Sequence, residues 1–296
     1  MAHHHHHHHH HANVVVCIKQ VPDTTNVRID RKTNNLVREG VPSIINPDDE
    51  RALELASQLK EKFGATVYVI TMGPPQAKEA LKDAIAFGLD EAVHLSDRTF
   101  AGADTLATTY TLYWGIKKIE ERIGKIDLIL TGKQAVDGDT GQVGPGLATR
   151  FGYALGAYVV RIEEIDPEKK EMVIVRRLDQ GFEKIRLKLP AVLTITDELN
   201  KPRYADLPNL IRAIRYEPIV WTHKDLGLDP KKCGFFGSPT RVVSTNIPPA
   251  RKGGDIISKN EDPEVAAEKL IEALKKFEAV RLVEALKPVL EGEKDE

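Results

Sequence analysis

The sequence predicts an α/β fold: a doubly wound, mostly parallel sheet, then an antiparallel β extension, a C-terminal arm and a final helix. Three observations lead there. Short β-branched runs such as Val14-Val15-Val16 show no polar alternation, as strands covered on both faces require. These runs alternate with segments of helical periodicity, the pattern of right-handed βαβ crossovers. After Tyr158 the texture changes to charged strands joined at Asp166-Pro167 and Asp179-Gln180-Gly181.

The elements follow in order. Residues 3–11 are an unbroken His run, so 1–12 read as a purification tag and carry no fold information. Asn13 to Ile18 is the first buried strand. Apolar residues between Val27 and Val37 flank Thr33-Asn34-Asn35, which suggests a small hairpin. Asn46 sits at an N-cap, Pro47 at the first helical position, and Asp48, Asp49 and Glu50 in the first turn. The stripe Ala52, Leu55, Ala56, Leu59 and Phe63 has helical spacing, and Gly64 stops the helix. Strands at Thr66–Thr71, Ala92–Leu95 and Ile126–Thr131 alternate with helices at Gln76–Phe87, Asp104–Ile123 and Leu147–Leu155. The β extension, within 158–197, comprises Val159–Ile165, Glu171–Leu178 and Glu183–Leu189, with Pro190–Thr196 a further apolar strand. The α/β domain is bounded at 13–217. Residues 218–260, rich in Pro, Gly and charge, read as a loose linker or an extended arm. Residues 261–296 read as a C-terminal helix whose stripe Val265, Leu270, Ile271, Leu274 and Phe277 must be buried on a second subunit or on the same chain.

Bulk properties exclude several function classes. A net charge of −2 argues against nucleic acid as a partner. No apolar run approaches the roughly 20 residues that span a bilayer, and no signal peptide precedes Asn13, so a cytoplasmic chain without membrane insertion is expected. The two cysteines, Cys17 and Cys233, lie far apart. They exclude iron–sulfur ligation by this chain alone and suggest a reducing compartment. Outside the tag only His94 and His223 remain, too few for a histidine metal centre. No nucleophile–base–orienter set is visible, so no catalytic residue, hydrolysis or group transfer is expected. Binding or electron transfer fits better.

In open α/β sheets a ligand sits beyond the carboxyl ends of the strands, at the switch in strand order. Four loops reach that edge: Cys17-Ile18-Lys19, Ile45-Asn46-Pro47-Asp48, Thr71-Met72-Gly73-Pro74 and the stretch Gly132 to Pro145. The last follows a strand, is glycine-rich and feeds a helix. Backbone N–H groups and the positive end of a helix converge on an anion in that arrangement. It is neither a Walker loop nor GxGxxG. From these residues alone, a tight turn with an Asp or Thr N-cap is an equal reading. Asp137 and Asp139 suit capping or ribose contacts better than metal binding. Arg203, Arg212 and Arg215 read as a solvated face or, around Leu207-Pro208, as a docking patch.

Four blocks then carry a family resemblance. They are Val16-Cys17-Ile18-Lys19-Gln20-Val21-Pro22-Asp23, Ile45-Asn46-Pro47-Asp48-Asp49, the Gly132–Pro145 stretch, and the run from Arg176-Arg177-Leu178-Asp179-Gln180-Gly181 through Leu189-Pro190-Ala191 to Leu199-Asn200-Lys201-Pro202-Arg203-Tyr204-Ala205-Asp206-Leu207-Pro208-Asn209. From Asn13 to Leu282 the chain resembles the β subunit of electron-transfer flavoprotein. The resemblance implies a nucleotide-binding domain of the adenine-nucleotide-hydrolase-like kind. It also implies an obligate heterodimer with an α subunit that carries FAD, on which the C-terminal arm and helix dock.

Carried over by position, Cys17, Asn46, Asp49, Met72, Gly132, Asp137, Gly138, Asp139, Thr140, Gly141, Gln142, Val143 and Gly144 are expected to line the cofactor site. Arg203, Tyr204, Leu207 and Pro208 are expected to dock a partner dehydrogenase or quinone-linked oxidoreductase. The familiar members split between structural AMP and a second FAD at this site. The motif Asp137-Gly138-Asp139-Thr140-x-Gln142-Val143-Gly144-Pro145 is similar to that of the two-FAD, electron-bifurcating group. There NADH is the donor and ferredoxin or flavodoxin the low-potential acceptor. Two rival expectations are a non-bifurcating β subunit with AMP and a stand-alone nucleotide-binding regulator.

Overall fold

The computed structural model describes residues 12–22, 28–30, 35–37, 43–133 and 143–238. In chain order these form β1 (Asn13–Cys17), β2 (Gln20–Pro22), β3 (Arg28–Asp30), β4 (Asn35–Val37), β5 (Ser43–Ile45), α1 (Pro47–Phe63), β6 (Thr66–Met72), α2 (Ala77–Ile85), β7 (Glu91–Leu95), α3 (Thr105–Ile123) and β8 (Leu128–Gly132). After these come α4 (Val143–Phe151), β9 (Ala154–Asp166), β10 (Glu171–Leu178), β11 (Gly181–Lys188), β12 (Ala191–Ile195), α5 (Leu207–Arg215), β13 (Ile219–Trp221), α6 (His223–Leu226) and α7 (Gly234–Gly237).

One nine-stranded sheet, ordered β11-β10-β9-β12-β8-β1-β6-β7-β13, organises the domain. From β12 to β13 every pairing is parallel, and β12 is also parallel to β9. The β9-β10-β11 extension is antiparallel. The expected α/β class and its antiparallel extension are thus both present.

Alternate residues of β1 serve two cores. Val14 and Val16 pack with the apolar faces of α1 and α2, while Val15 and Cys17 pack with those of α3 and α4. Val14, Val15 and Val16 have no exposed surface, and burying each contributes about 2 kcal/mol of transfer free energy. Burial on both faces explains why this run shows no alternation.

Helix α1 starts as its sequence dictates: the Asn46 side chain accepts from the Asp48 N–H at 3.1 Å. It stops at Gly64, whose φ of +71° is cheap only for glycine. The β3–β4 pair is the hairpin expected between 27 and 37.

Four features depart from the sequence expectation. Helix α4 begins at Val143, four residues before the expected start at Leu147, so Val143-Gly144-Pro145 is helical. Proline suits a first turn, where its missing N–H has no partner to lose. Strand β9 begins at Ala154, because Gly152 at φ +69° ends α4 early. Helix α5 was not anticipated; Asp206 caps it through the Asn209 N–H at 2.9 Å. Residues 219–221 form the edge strand β13 beside β7, and Trp221 and Cys233 are buried against the α3 side. Residues 218–238 therefore pack on the domain, although the sequence placed the start of an arm at 218. The remainder of that arm and the C-terminal helix, 239–296, lie outside the described residues. Among the described residues no helix is long and apolar enough to cross a membrane.

Candidate functional site

From central β1 the chain builds β6 and β7 on one side, then returns to place β8 on the other. The switch therefore lies between β1 and β8, and the crevice beyond their carboxyl ends is the expected ligand position. The N-terminus of α1 closes one wall. The Asn46 N–H donates to the Lys19 carbonyl at 2.9 Å, tying the start of the helix to the exit from β1.

Asp49 completes the junction. It is 2% exposed. One carboxyl oxygen accepts the Lys19 N–H at 2.6 Å, and the other accepts the Gly132 N–H at 3.0 Å. A single side chain from α1 thus holds the ends of β1 and β8. Burial pushes its carboxyl up to about 7, against the two N–H donors that favour the charged form. A Cβ on Gly132 would lie 2.5 Å from the Asp48 carbonyl carbon and oxygen and 2.5 Å from an Asp49 carboxyl oxygen. Only glycine fits there.

The neighbouring loops are held in the same manner. Ile18 N–H donates to the Ile70 carbonyl at 3.0 Å, and the Thr71 hydroxyl donates to the Ile18 carbonyl at 2.8 Å. Gly73 N–H donates to the Leu95 carbonyl at 3.1 Å, while His94 Nε2 donates to the Gly73 carbonyl at 2.9 Å. Lys133 N–H donates to the Ile195 carbonyl at 2.6 Å. Helix α4 opens at this edge with Gly144 against Thr194 and Thr131, where a Cβ would come within 2.7 Å of Thr194 Cγ2. Its first-turn N–H groups have no acceptor within their own helix.

His94 is buried, and burial holds its pKa below the ordinary histidine value although the Gly73 and Pro74 carbonyls work the other way. A depressed histidine contributes stability above its unfolded pKa of about 6.5, and this is lost as pH falls through the folded value. His94→Gln is therefore expected to remove a destabilisation seen on acidification below about pH 6.5. Urea midpoints at pH 7.5 and 5.5 read this; an unchanged acid response would remove His94 as its source.

The sequence-predicted residues divide clearly. Cys17, Asn46, Asp49 and Gly132 come together at the β1–β8 edge, Met72 ends the neighbouring strand β6, and Val143 and Gly144 open α4. Asp137, Gly138, Asp139, Thr140, Gly141 and Gln142 lie outside the described residues. Cys17 is a buried thiol, raised well above its ordinary pKa by burial and by Asp49, and so behaves as an apolar filler. Asp49 and Asn46 bond mainly to backbone and build the rim. Sequence reasoning passed over Lys133, a cation immediately after the switch-point strand; its charge and its position after an apolar run were the available signal. Tyr158 was passed over too. It sits at φ +57°, 42% exposed, with its N–H on the Thr194 hydroxyl at 2.7 Å beside the end of β12. Nothing in a strand-like sequence marks such a backbone.

The second predicted cluster behaves differently. Arg203 turns inward: Nε and Nη2 meet the two carboxyl oxygens of Glu54 at 2.9 Å each, and Nη2 lies 2.5 Å from Glu61. Arg212 donates to the Leu89 and Asp90 carbonyls at 2.5 and 2.8 Å. Arg203 thus leaves the expected solvated basic face, while Arg212 and Arg215 stay exposed. Tyr204 (42% exposed), Ile211 (41%) and Ile214 (71%) present apolar surface instead, with Leu207 half-buried and Pro208 exposed.

Residues 33–223 match the family model of the electron transfer flavoprotein domain. The chain is 47% identical over 247 residues to the electron transfer flavoprotein subunit beta of Clostridium acetobutylicum, covering 83% of this chain and 92% of that protein. The chain belongs to the electron transfer flavoprotein family, as a β subunit. Two further relatives of this β subunit are each 48% identical to it. One is the caffeyl-CoA reductase–Etf complex subunit CarD of Acetobacterium woodii, over 254 residues, 86% of this chain and 94% of the relative. The other is protein FixA of Azotobacter vinelandii, over 257 residues, 86% and 91%. Among the described residues of the β subunit no group of three or more His, Cys, Asp or Glu is placed to hold a metal ion.

Proposed function

We propose that this chain is the β subunit of a heterodimeric electron-transfer flavoprotein and binds FAD at the β1–β8 edge. Bound there, FAD would supply the chemistry of electron bifurcation, with NADH as the donor and ferredoxin or flavodoxin and the FAD of the α subunit as the acceptors. The observation that carries the reading is the junction at Asp49. It fixes a glycine-lined rim at the switch point, between the N-terminus of α1 and the first turn of α4. The rim suits an anionic dinucleotide: Gly132 and Gly144 let α1 and α4 pack close against the strand ends, which places both helix N-termini at the edge, and Lys133 supplies positive charge.

When bound, FAD supplies the redox chemistry, for which no side chain of this chain is suited. The chain's own residues position and shield it. Asn46 and Asp49 set the spacing of the β1 and β8 exits. His94 fixes the Gly73 carbonyl and with it the loop that carries Met72. The α4 first turn and Lys133 are assigned to the phosphates; the stretch 137–142, matched to the family motif, is assigned to phosphate and ribose. Tyr204, Leu207 and Pro208 are assigned to docking the dehydrogenase or quinone-linked partner.

Denaturing the purified αβ complex and quantifying the released nucleotides tests this. Two FAD per heterodimer are expected. One FAD with one AMP overturns bifurcation and leaves a structural nucleotide. A nucleotide-saturated monomer that ignores the α subunit on size-exclusion chromatography overturns the subunit assignment.

A further inference from the structure

A polar stripe runs along α1 at helical spacing: Asp48, Arg51, Glu54, Gln58 and Glu61. Its first member lies in the turn that holds Asp49 at the rim. Arg51, Glu54 and Glu61 grip the segment that leads into α5, and Gln58 braces Glu54. The Asn200 side-chain amide donates to the Arg51 carbonyl at 3.0 Å, and the Arg51 guanidinium donates to the Asn200 carbonyl. Glu54, 3% exposed, accepts the Arg203 backbone N–H at 2.9 Å as well as the bidentate guanidinium, and Gln58 Nε2 at 2.8 Å. A carboxylate so buried is tolerable only while these donors surround it. The segment at 200–203 is therefore bound to α1 through a cluster that cannot be loosened in part without exposing an uncompensated charge.

We propose that Glu54 and Arg203 are positioning residues that make the order of the docking segment depend on the nucleotide edge, with α1 as the rigid link. Arg203 is then an internal tether and not a partner contact. Helix α1 has 17 residues, about 25 Å of continuous helix. Its first turn is pinned to the ends of β1 and β8 by Asp49, and the tether begins two residues further on, at Arg51. An anionic nucleotide seated on the rim restrains the first turn. The same helix then presents Arg51 and Glu54 to residues 200–203 in a fixed position. Rigid helices and hydrogen-bond clusters of this kind carry coupling between sites.

This inference rests on the nucleotide and docking readings above. It is tested by amide hydrogen exchange on the full chain in complex with its α subunit, stripped of nucleotide and then supplied with FAD or AMP. In the unaltered protein, nucleotide is expected to slow exchange about tenfold both at 44–49 and 130–133 and at 199–206, as a modest coupling would. In Glu54→Gln the slowing at 44–49 and 130–133 persists and that at 199–206 disappears. A tether with only a structural role would loosen 199–206 equally with and without nucleotide, and that result overturns the proposal. So does an unaltered protein whose rim responds while 199–206 does not. Failure of the rim itself to respond to either nucleotide overturns the nucleotide reading instead, and the coupling with it. Should Glu54→Gln not fold, Arg203→Lys keeps the charge but lacks the planar fork and is expected to give the same selective loss.

Discussion

Gly132→Ala is expected to cost about 3–5 kcal/mol of unfolding free energy. Overpacking accounts for roughly 1–3 kcal/mol, and leaving the buried Gly132 N–H without its Asp49 acceptor for about another 1–3 kcal/mol. The new methyl would sit 2.5 Å from backbone of Asp48 and from the Asp49 carboxyl, neither of which is the yielding end of a flexible side chain. Relief requires α1 to move away from β8, which opens the Asp49–Gly132 bond. A melting-temperature loss of roughly 10 °C follows for a domain of this size, together with loss of bound nucleotide under the proposed function. Gly64→Ala is the control. It also meets a positive φ, but nothing lies within 4 Å of the added methyl, so a cost of about 1 kcal/mol is expected. Equal melting temperatures for the two variants would show that crowding at the β1–β8 junction is unimportant.

Asp49→Asn is expected to have an effect whose size depends on pH. At pH 5 the variant turns an amide N–H towards a backbone N–H, and about 2–3 kcal/mol is lost. The linkage then acts on the unaltered protein. Its folded carboxyl stands near 7 while the ordinary value is 3.8. The folded state therefore holds this proton more tightly than the unfolded state. The associated stability is complete below about pH 4 and declines as pH rises to about 7, by about 1.4 kcal/mol per unit. Asparagine carries no such proton. The gap between the two proteins should therefore narrow by up to about 4 kcal/mol between pH 4 and pH 7. Urea midpoints of both proteins across that range measure it, and parallel curves would rule out a raised Asp49.

Much of the fold was written in local patterns. Val14-Val15-Val16 announced a strand buried on both faces, and Asn46-Pro47-Asp48-Asp49-Glu50 announced the start of α1, because each signal depends on neighbours in sequence. What escaped notice depends on distant partners. Strand β13 has three residues and becomes a strand only beside β7. The inward turn of Arg203 depends on a glutamate 149 positions away. The site followed the same rule. The strand-end loops at Cys17, Asn46, Met72 and Gly132 converge as the switch-point logic requires. That Asp49 joins two strand ends needed the three-dimensional register of β1, β8 and α1.

The way the Gly132–Val143 connection is held has a consequence for redesign. Before it, the Gly132 N–H is fixed by Asp49 and the Lys133 N–H by the Ile195 carbonyl. After it, α4 is seated through Gly144 against Thr194 and through Gly146 against Thr109, with a close approach at each. Among the described residues, both flanks are thus held by contacts with the domain core. Under the proposed function, exchanging residues 134–142 is therefore expected to alter nucleotide preference while these flanking contacts, and the stability they contribute, persist.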